Sequence, residues 1–211
     1  MKSATKQLLA ASALFLGFAA APAQAIVLFQ DNFDTDNAAS ALNFNNLINW
    51  TVSNGTVDYI KSGSFGISCI GGTGGCIDLD GSTGNGGRMT SKQTFNLLAN
   101  ETYRLIINVS GNQRGGANDE VSWGLVISGG AALAGIAPGA AFTAQDFTSF
   151  SNVARVEQLF IETSSNDNVG VIIDNVLFEC VTCGPNNVPE PTGLALLGLG
   201  LAGLGLARKR R

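Results

Sequence analysis

Sixteen carboxylates, four cysteines, two tryptophans and no histidine bound the chemistry open to this 211-residue chain. Without an imidazole there is no Ser-His-Asp or Cys-His nucleophile and no histidine-ligated zinc. Paired carboxylates would serve glycoside hydrolysis. Asp58, Asp78, Asp80, Asp119, Glu120, Asp146, Glu157 and Glu162 are all available, yet no spacing singles out two of them, and no enzymatic activity is expected. Glycan binding needs a flat aromatic face and planar polar groups that read hydroxyls. Trp50 and Tyr59 are the candidate faces, with Asn112 and Arg114, on the loop 111–116, as hydroxyl readers. Trp50 begins a strand beside a turn and suits either a core or a stacking role, whereas Trp123 shares its alternation with Val121 and Leu125 and belongs in the core. A solvated loop is the alternative for Asn112 and Arg114. No cofactor is expected other than a structural calcium, held by carboxylates that tie the first strand to the last: Asp31, Asp34 and Asp36 near the start and Asp174 near the end. The run D-x-x-D-x-D lacks the glycine and glutamate of an EF-hand loop, and the same carboxylates could instead accept bonds from turn amides. Asp78-Leu79-Asp80 is a second, less favoured place for a cation.

The elements that must present these residues lie between two special ends. Lys2 and Lys6, an apolar stretch over 8–21 and the small-x-small triplet Ala23-Gln24-Ala25 read as a secretory signal peptide over 1–25, cut by signal peptidase. The other end runs Pro189-Glu190-Pro191, an uncharged stretch of 16 residues over 192–207, then Arg208, Lys209, Arg210 and Arg211. As a helix that stretch spans about 24 Å, enough for a thinned bilayer, and four cations resist translocation. Triplet, apolar helix and basic end in this order resemble the PEP-CTERM sorting signal of Gram-negative bacteria. That resemblance implies an exosortase as partner, an inner-membrane intermediate held by the C-terminal helix, and delivery to the cell surface or extracellular matrix.

An exported chain favours disulfides over thiolate metal sites. Local pairing is expected, Cys69 with Cys76 and Cys180 with Cys183, although four cysteines allow three connectivities and an all-thiolate zinc site is the alternative. Over 26–190 all sixteen acidic residues face only six basic ones, a net of −10 hidden within the whole-chain −4. So acidic a domain does not bind nucleic acid through a phosphate-neutralising surface.

Residues 26–183 contain no amphipathic run of helical length. Short alternating or apolar runs separated by Gly, Asn, Asp and Ser predict strands over 26–30, 50–52, 56–60, 76–79, 88–95, 102–110, 120–127, 147–153, 158–163 and 169–179. Asn54-Gly55 predicts a hairpin turn between the second and third of these, and 128–141 a long loop. Strands at this spacing without crossover helices predict two packed antiparallel sheets, followed by a Pro-rich linker over 184–191, the helix 192–207 and the basic end 208–211.

Four segments resemble one sandwich family: W-x-V-x-x-G-x-V-D-Y-I from Trp50 to Ile60, I-D-L-D-G from Ile77 to Gly81, a T-Y-x-L strand followed by S-G-N at Ser110 to Asn112, and D-N-V-G-V-I-I-D-N-V from Asp167 to Val176. This is the galactose-binding-like domain of plant cell-wall proteins of unassigned function, whose bacterial relatives carry interchangeable surface anchors. Leu79-Asp80-Gly81 stands where the family often has L-N-G, and the loop between Cys69 and Cys76 is an insertion. The resemblance implies an all-β, jelly-roll β-sandwich, flanked here by the signal-peptide helix and the C-terminal hydrophobic helix. It further implies a non-catalytic domain with exopolysaccharide as the partner.

Overall fold

The computed structural model describes residues 25–183; the expected signal peptide, linker, apolar helix and basic end lie outside the described residues. Among those described, no helix is long and apolar enough to cross a membrane. The strands are β1 (Ile26–Asp31), β2 (Trp50–Ser53), β3 (Asp58–Lys61), β4 (Gly75–Asp78), β5 (Arg88–Ser91), β6 (Phe95–Leu97), β7 (Glu101–Ser110), β8 (Asp119–Leu125), β9 (Ala131–Ile136), β10 (Thr143–Ser151), β11 (Arg155–Glu157), β12 (Leu159–Thr163) and β13 (Ile172–Cys180). A six-stranded antiparallel sheet has the order β10-β7-β13-β4-β3, with β1 also on β13; a five-stranded sheet has the order β2-β5-β12-β8-β9, and β6 pairs with β11 alone. The chain passes repeatedly from one sheet to the other, giving the all-β jelly-roll sandwich.

Alternation decides which side chains meet between the sheets. Tyr103, Leu105, Ile107 and Val109 of β7 face Met89, Val121, Trp123, Leu125, Leu159 and Ile161 of the five-stranded sheet in one cluster of buried side chains. The strand β13 would lose this alternation halfway along, because Asp174 and Val176 are separated by a register shift against β7. Asn175 takes a left-handed φ of 51° there, a conformation that asparagine tolerates and β-branched residues do not. The extra residue lets Ile173 and Val176 both point inward. Outside the six-stranded sheet, the disulfide Cys69–Cys76 folds the β3–β4 loop back so that Ile67 and Cys69 cover Ile60, Cys76 and Ile172. The second disulfide joins Cys180 to Cys183 where β13 ends. Both pairings are the local ones.

Two expectations are corrected. Asn54 does adopt a positive φ of 61°, but β2 and β3 form no hairpin: β2 pairs with β5 and β3 with β4, in different sheets. Gly55 marks this crossing, since a Cβ there would lie 2.2 Å from the carbonyl oxygen of Asn85. The expected loop 128–141 contains β9, paired with β8 from Asp119 to Gly124. Its sequence, AALAGI, is poor in the β-branched and aromatic residues that advertise strands; as the sheet's edge it needs only one partner.

Candidate functional site: a polar cleft beside an acidic end

Trp50 and Tyr59, the expected stacking faces, are both fully buried. Trp50 packs edge-on against Phe29 at 5.6 Å and donates its indole N–H to Asp31 Oδ2 at 2.8 Å. Tyr59 donates its hydroxyl to the Phe33 carbonyl oxygen at 3.0 Å. Burial of a ring with its polar atom satisfied is a core role, so neither offers a face to a sugar. Asn112 and Arg114 are structural too. Asn112 is buried, donates Nδ2–H to the Val169 carbonyl oxygen and accepts the Arg114 amide. Arg114 pairs with Asp78 at 2.7 Å.

The calcium candidates are not gathered into one cluster either. Asp31 accepts bonds from the Phe33 amide, Asn49 and Trp50. Asp34 accepts from the Gly75 amide and Asn32, Asp36 from the Ile48 amide, and Asp174 from the Ile70 amide. N–H donors thus tie the first and last strands to the disulfide loop. Among the described residues, only Glu101, Cys180 and Cys183 bring three candidate ligand atoms within 4.8 Å, and those two sulfurs are bonded to each other.

Burial pushes the Asp174 carboxyl up to about 6; the Ile70 and Asn175 amides oppose the shift, and the charges of Asp34 and Asp31 add to it. A carboxyl that binds its proton more tightly folded than unfolded favours the native state most at pH below its ordinary value and loses that contribution as pH rises through its folded value. Asp174→Asn is therefore expected to remove a fall in stability between about pH 4 and 6. The size is on the order of 1–2 kcal/mol after solvent screening. Urea titrations in EDTA across that range check it; parallel curves for the two proteins would refute it.

The candidate binding surface is the outer face of the five-stranded sheet. Registers of β2, β5, β12, β8 and β9 align Ser53, Arg88, Glu162, Ser122 and Leu133 in one row across it. A cleft of about 400 Å³ follows this face towards the β12–β13 loop, lined by Asn54, Asn85, Glu120, Ser122, Glu162 and Ser165. Arg88 is held on both sides: its Nη1 donates to Glu162 Oε2 at 2.7 Å, and its guanidinium lies 4.0 Å over the Phe160 ring. Such a clamped guanidinium presents fixed donors at little entropic cost. Sequence reasoning missed this cleft because β8, β9, β12 and three separate loops contribute to it, and its short runs of neighbouring residues carry no recognisable motif.

Asp58, Asp78, Asp80 and Asp119 are four buried carboxylates, and Asp80 meets the cleft through the Ser165 hydroxyl. Asp58 accepts from the amides of Asn43 and Ser82 and from the Ser82 hydroxyl. Asp78 accepts from the amides of Asp80 and Gly170 as well as from Arg114. Burial raises its carboxyl to about 7 despite the arginine. Gly170 permits this contact, since a Cβ there would lie 2.5 Å from the Asp80 nitrogen.

No curated protein matches the sequence. Similar solved structures include the CBM22-1–GH10 modules of Clostridium thermocellum xylanase Xyn10B complexed with xylohexaose (16% identity, 77% of this chain and 29% of that one, TM-score 0.49). Another is the CBM22-1 xylan-binding domain of Paenibacillus barcinonensis Xyn10C (13%, 78% and 100%, TM-score 0.49). A third is a CBM6 module of Cellvibrio mixtus lichenase 5A in complex with cellotriose (12%, 72% and 97%, TM-score 0.39). The first match takes in less than a third of that chain's length. Residues 187–211 match the PEP-CTERM protein-sorting motif, so the chain is an exported protein with a C-terminal sorting signal.

Proposed function

We propose that this is an exosortase-processed protein of the Gram-negative cell surface or matrix, whose one sandwich domain binds polysaccharide without cleaving it. The observation that carries the binding reading is the cleft on the five-stranded sheet, open to solvent and lined by amides, hydroxyls and carboxylates, with Arg88 held against Glu162 of its lining. These groups suit the hydroxyl pattern of a neutral or basic glycan chain lying across the strands. The large aromatics exposed among the described residues, Phe65 and Phe150, do not line it. Recognition would thus rest on hydrogen bonds, with a dissociation constant around 1 mM.

A glycosidase is the second reading, because Glu120 and Glu162 line the same cleft. The Arg88 pairing argues against it: Arg88 Nη1 already occupies Glu162 Oε2 at 2.7 Å, so that oxygen is not free to reach a glycosidic oxygen. A matrix protein with no specific ligand is the third.

Affinity electrophoresis on a panel of exopolysaccharides tests the proposal. Ser122→Trp fills the middle of the cleft from an outward position, and it is expected to abolish retardation while leaving the melting temperature within about 2 °C of wild type. Equal retardation of the two proteins would place binding elsewhere; no retardation of wild type on any polysaccharide would favour the ligand-free matrix role. Release of reducing sugar that Glu162→Gln abolishes would favour the enzyme.

A further inference from the structure

Three carboxylates crowd around one hydroxyl where the β4–β5 loop, the β12–β13 loop and the start of β8 meet. Asp80, fully buried, accepts three bonds on Oδ2: from the amides of Asp167 and Asn168, each at 2.8 Å, and from Ser165 Oγ at 3.1 Å. Its Oδ1 is buried with no partner. Asp119, 5% exposed, also keeps one buried carboxylate oxygen, Oδ2, without a partner. Ser165 Oγ lies 3.3 Å from Asp167 Oδ1 and stands beside Asp119 as well. A hydroxyl has a single proton to donate, so it cannot satisfy three carboxylates at once.

Nothing else in the domain neutralises them. The six cations of residues 25–183 are Lys61, Arg88, Lys92, Arg104, Arg114 and Arg155. Arg88, Arg104 and Arg155 pair with Glu162, Glu179 and Glu157. Lys61 and Lys92 donate to the carbonyl oxygens of Asp34 and Leu47. Arg114 reaches this end but is paired with Asp78 and donates to the Asn168 carbonyl oxygen. Removing a carboxylate from water without a counter-charge costs several kcal/mol. Burial and the charges of Asp167 and Asp80 accordingly push the Asp119 carboxyl up.

We propose that this end of the sandwich binds one hard divalent cation, of the calcium kind, through Asp80, Asp119 and Asp167 beside Ser165. One ion satisfies both orphaned oxygens and replaces the missing counter-charge, whereas a proton serves only one of them. Oxygen-only donors and irregular geometry suit calcium, and an exported protein meets it at millimolar concentration. The three carboxylates do not all stand within 4.8 Å of one another; the ion draws the exposed Asp167 loop inward onto the fixed Asp80 and Asp119. This site is distinct from the one expected at Asp31, Asp34 and Asp174, shares only Asp80 with the less favoured place at Asp78-Leu79-Asp80, and does not depend on the glycan reading.

The test is titration of the processed, exported protein with calcium chloride alone after dialysis against EDTA, followed by calorimetry and thermal melting. One ion per chain is expected, with a dissociation constant of about 0.1–1 mM and a rise in melting temperature. Asp119→Asn is isosteric and removes a buried charge. It should melt at or above the wild-type temperature in EDTA yet bind calcium at least about tenfold more weakly, a loss of about 1.4 kcal/mol, and Asp167→Asn should do the same from an exposed position. Asp34→Asn should bind as wild type does. The proposal is overturned by no binding at about 10 mM calcium, or by binding that Asp34→Asn abolishes and both Asp119→Asn and Asp167→Asn retain.

Discussion

Trp50→Ala is expected to destabilise the sandwich by about 3–5 kcal/mol, the range for truncating a buried aromatic. Trp50 is fully buried between Phe29 and Phe33, where a large void cannot collapse without moving both β1 and β2. The change also removes the indole N–H that meets Asp31 Oδ2, leaving that oxygen to Asn49 alone at 3.2 Å. A domain with ordinary net stability of about 5–15 kcal/mol loses a large fraction of it. Trp50→Phe separates the contributions: most of the apolar volume stays, and the cost of about 1–3 kcal/mol reports the lost hydrogen bond. Thr51→Ala, one residue on and facing outward, should be neutral within about 0.5 kcal/mol. Urea denaturation of the three variants is the measurement. A loss below about 1 kcal/mol for Trp50→Ala would mean that Trp50 does not anchor the core.

Neutralising Arg208–Arg211 together is expected to abolish retention at the inner membrane and processing by the exosortase while leaving export intact. The expected signal peptide at the other end would direct export, whereas the sorting motif matched at 187–211 would supply the stop at the membrane. Its apolar stretch of 16 residues spans only about 24 Å as a helix, less than the hydrocarbon thickness of about 30 Å. Hydrophobicity alone therefore holds it weakly, and the four cations supply the remaining barrier to translocation. Glu190→Ala tests the other half of the motif: the chain should reach the membrane and remain there uncut. Pulse labelling with cell fractionation distinguishes the outcomes. Wild-type processing of both variants would show that neither the triplet nor the basic end is read.

Local patterns were legible in the sequence because their physics is local. The 103–109 alternation made β7, and the 121–125 alternation placed Trp123 in the core, since a strand buried on one face must alternate wherever its partner lies. The short spacing of each cysteine pair led to the right pairings for the same reason. The three-part tail needed no fold at all, because proline, apolar length and terminal charge act on a membrane and an enzyme as a linear string. Tertiary structure decided everything that depends on partners distant in sequence. Asn54-Gly55 has hairpin chemistry, yet packing of Gly55 against Asn85 sends the chain across to the other sheet. The edge strand β9 forms from small residues because β8 offers it a row of backbone donors and acceptors, which side-chain propensity does not report. Trp50 begins a strand in either reading; only Asp31, 19 residues earlier, gives its indole a buried partner. In the sequence Asp80 and Asp119 are simply available carboxylates, Asp80 also part of a less favoured cation place, and charge alone predicts exposure for both. Asp80 is buried because the amides of Asp167 and Asn168 and the Ser165 hydroxyl converge on it, and a hydrogen-bond donor that arrives from more than eighty positions away leaves no periodicity, spacing or composition to read.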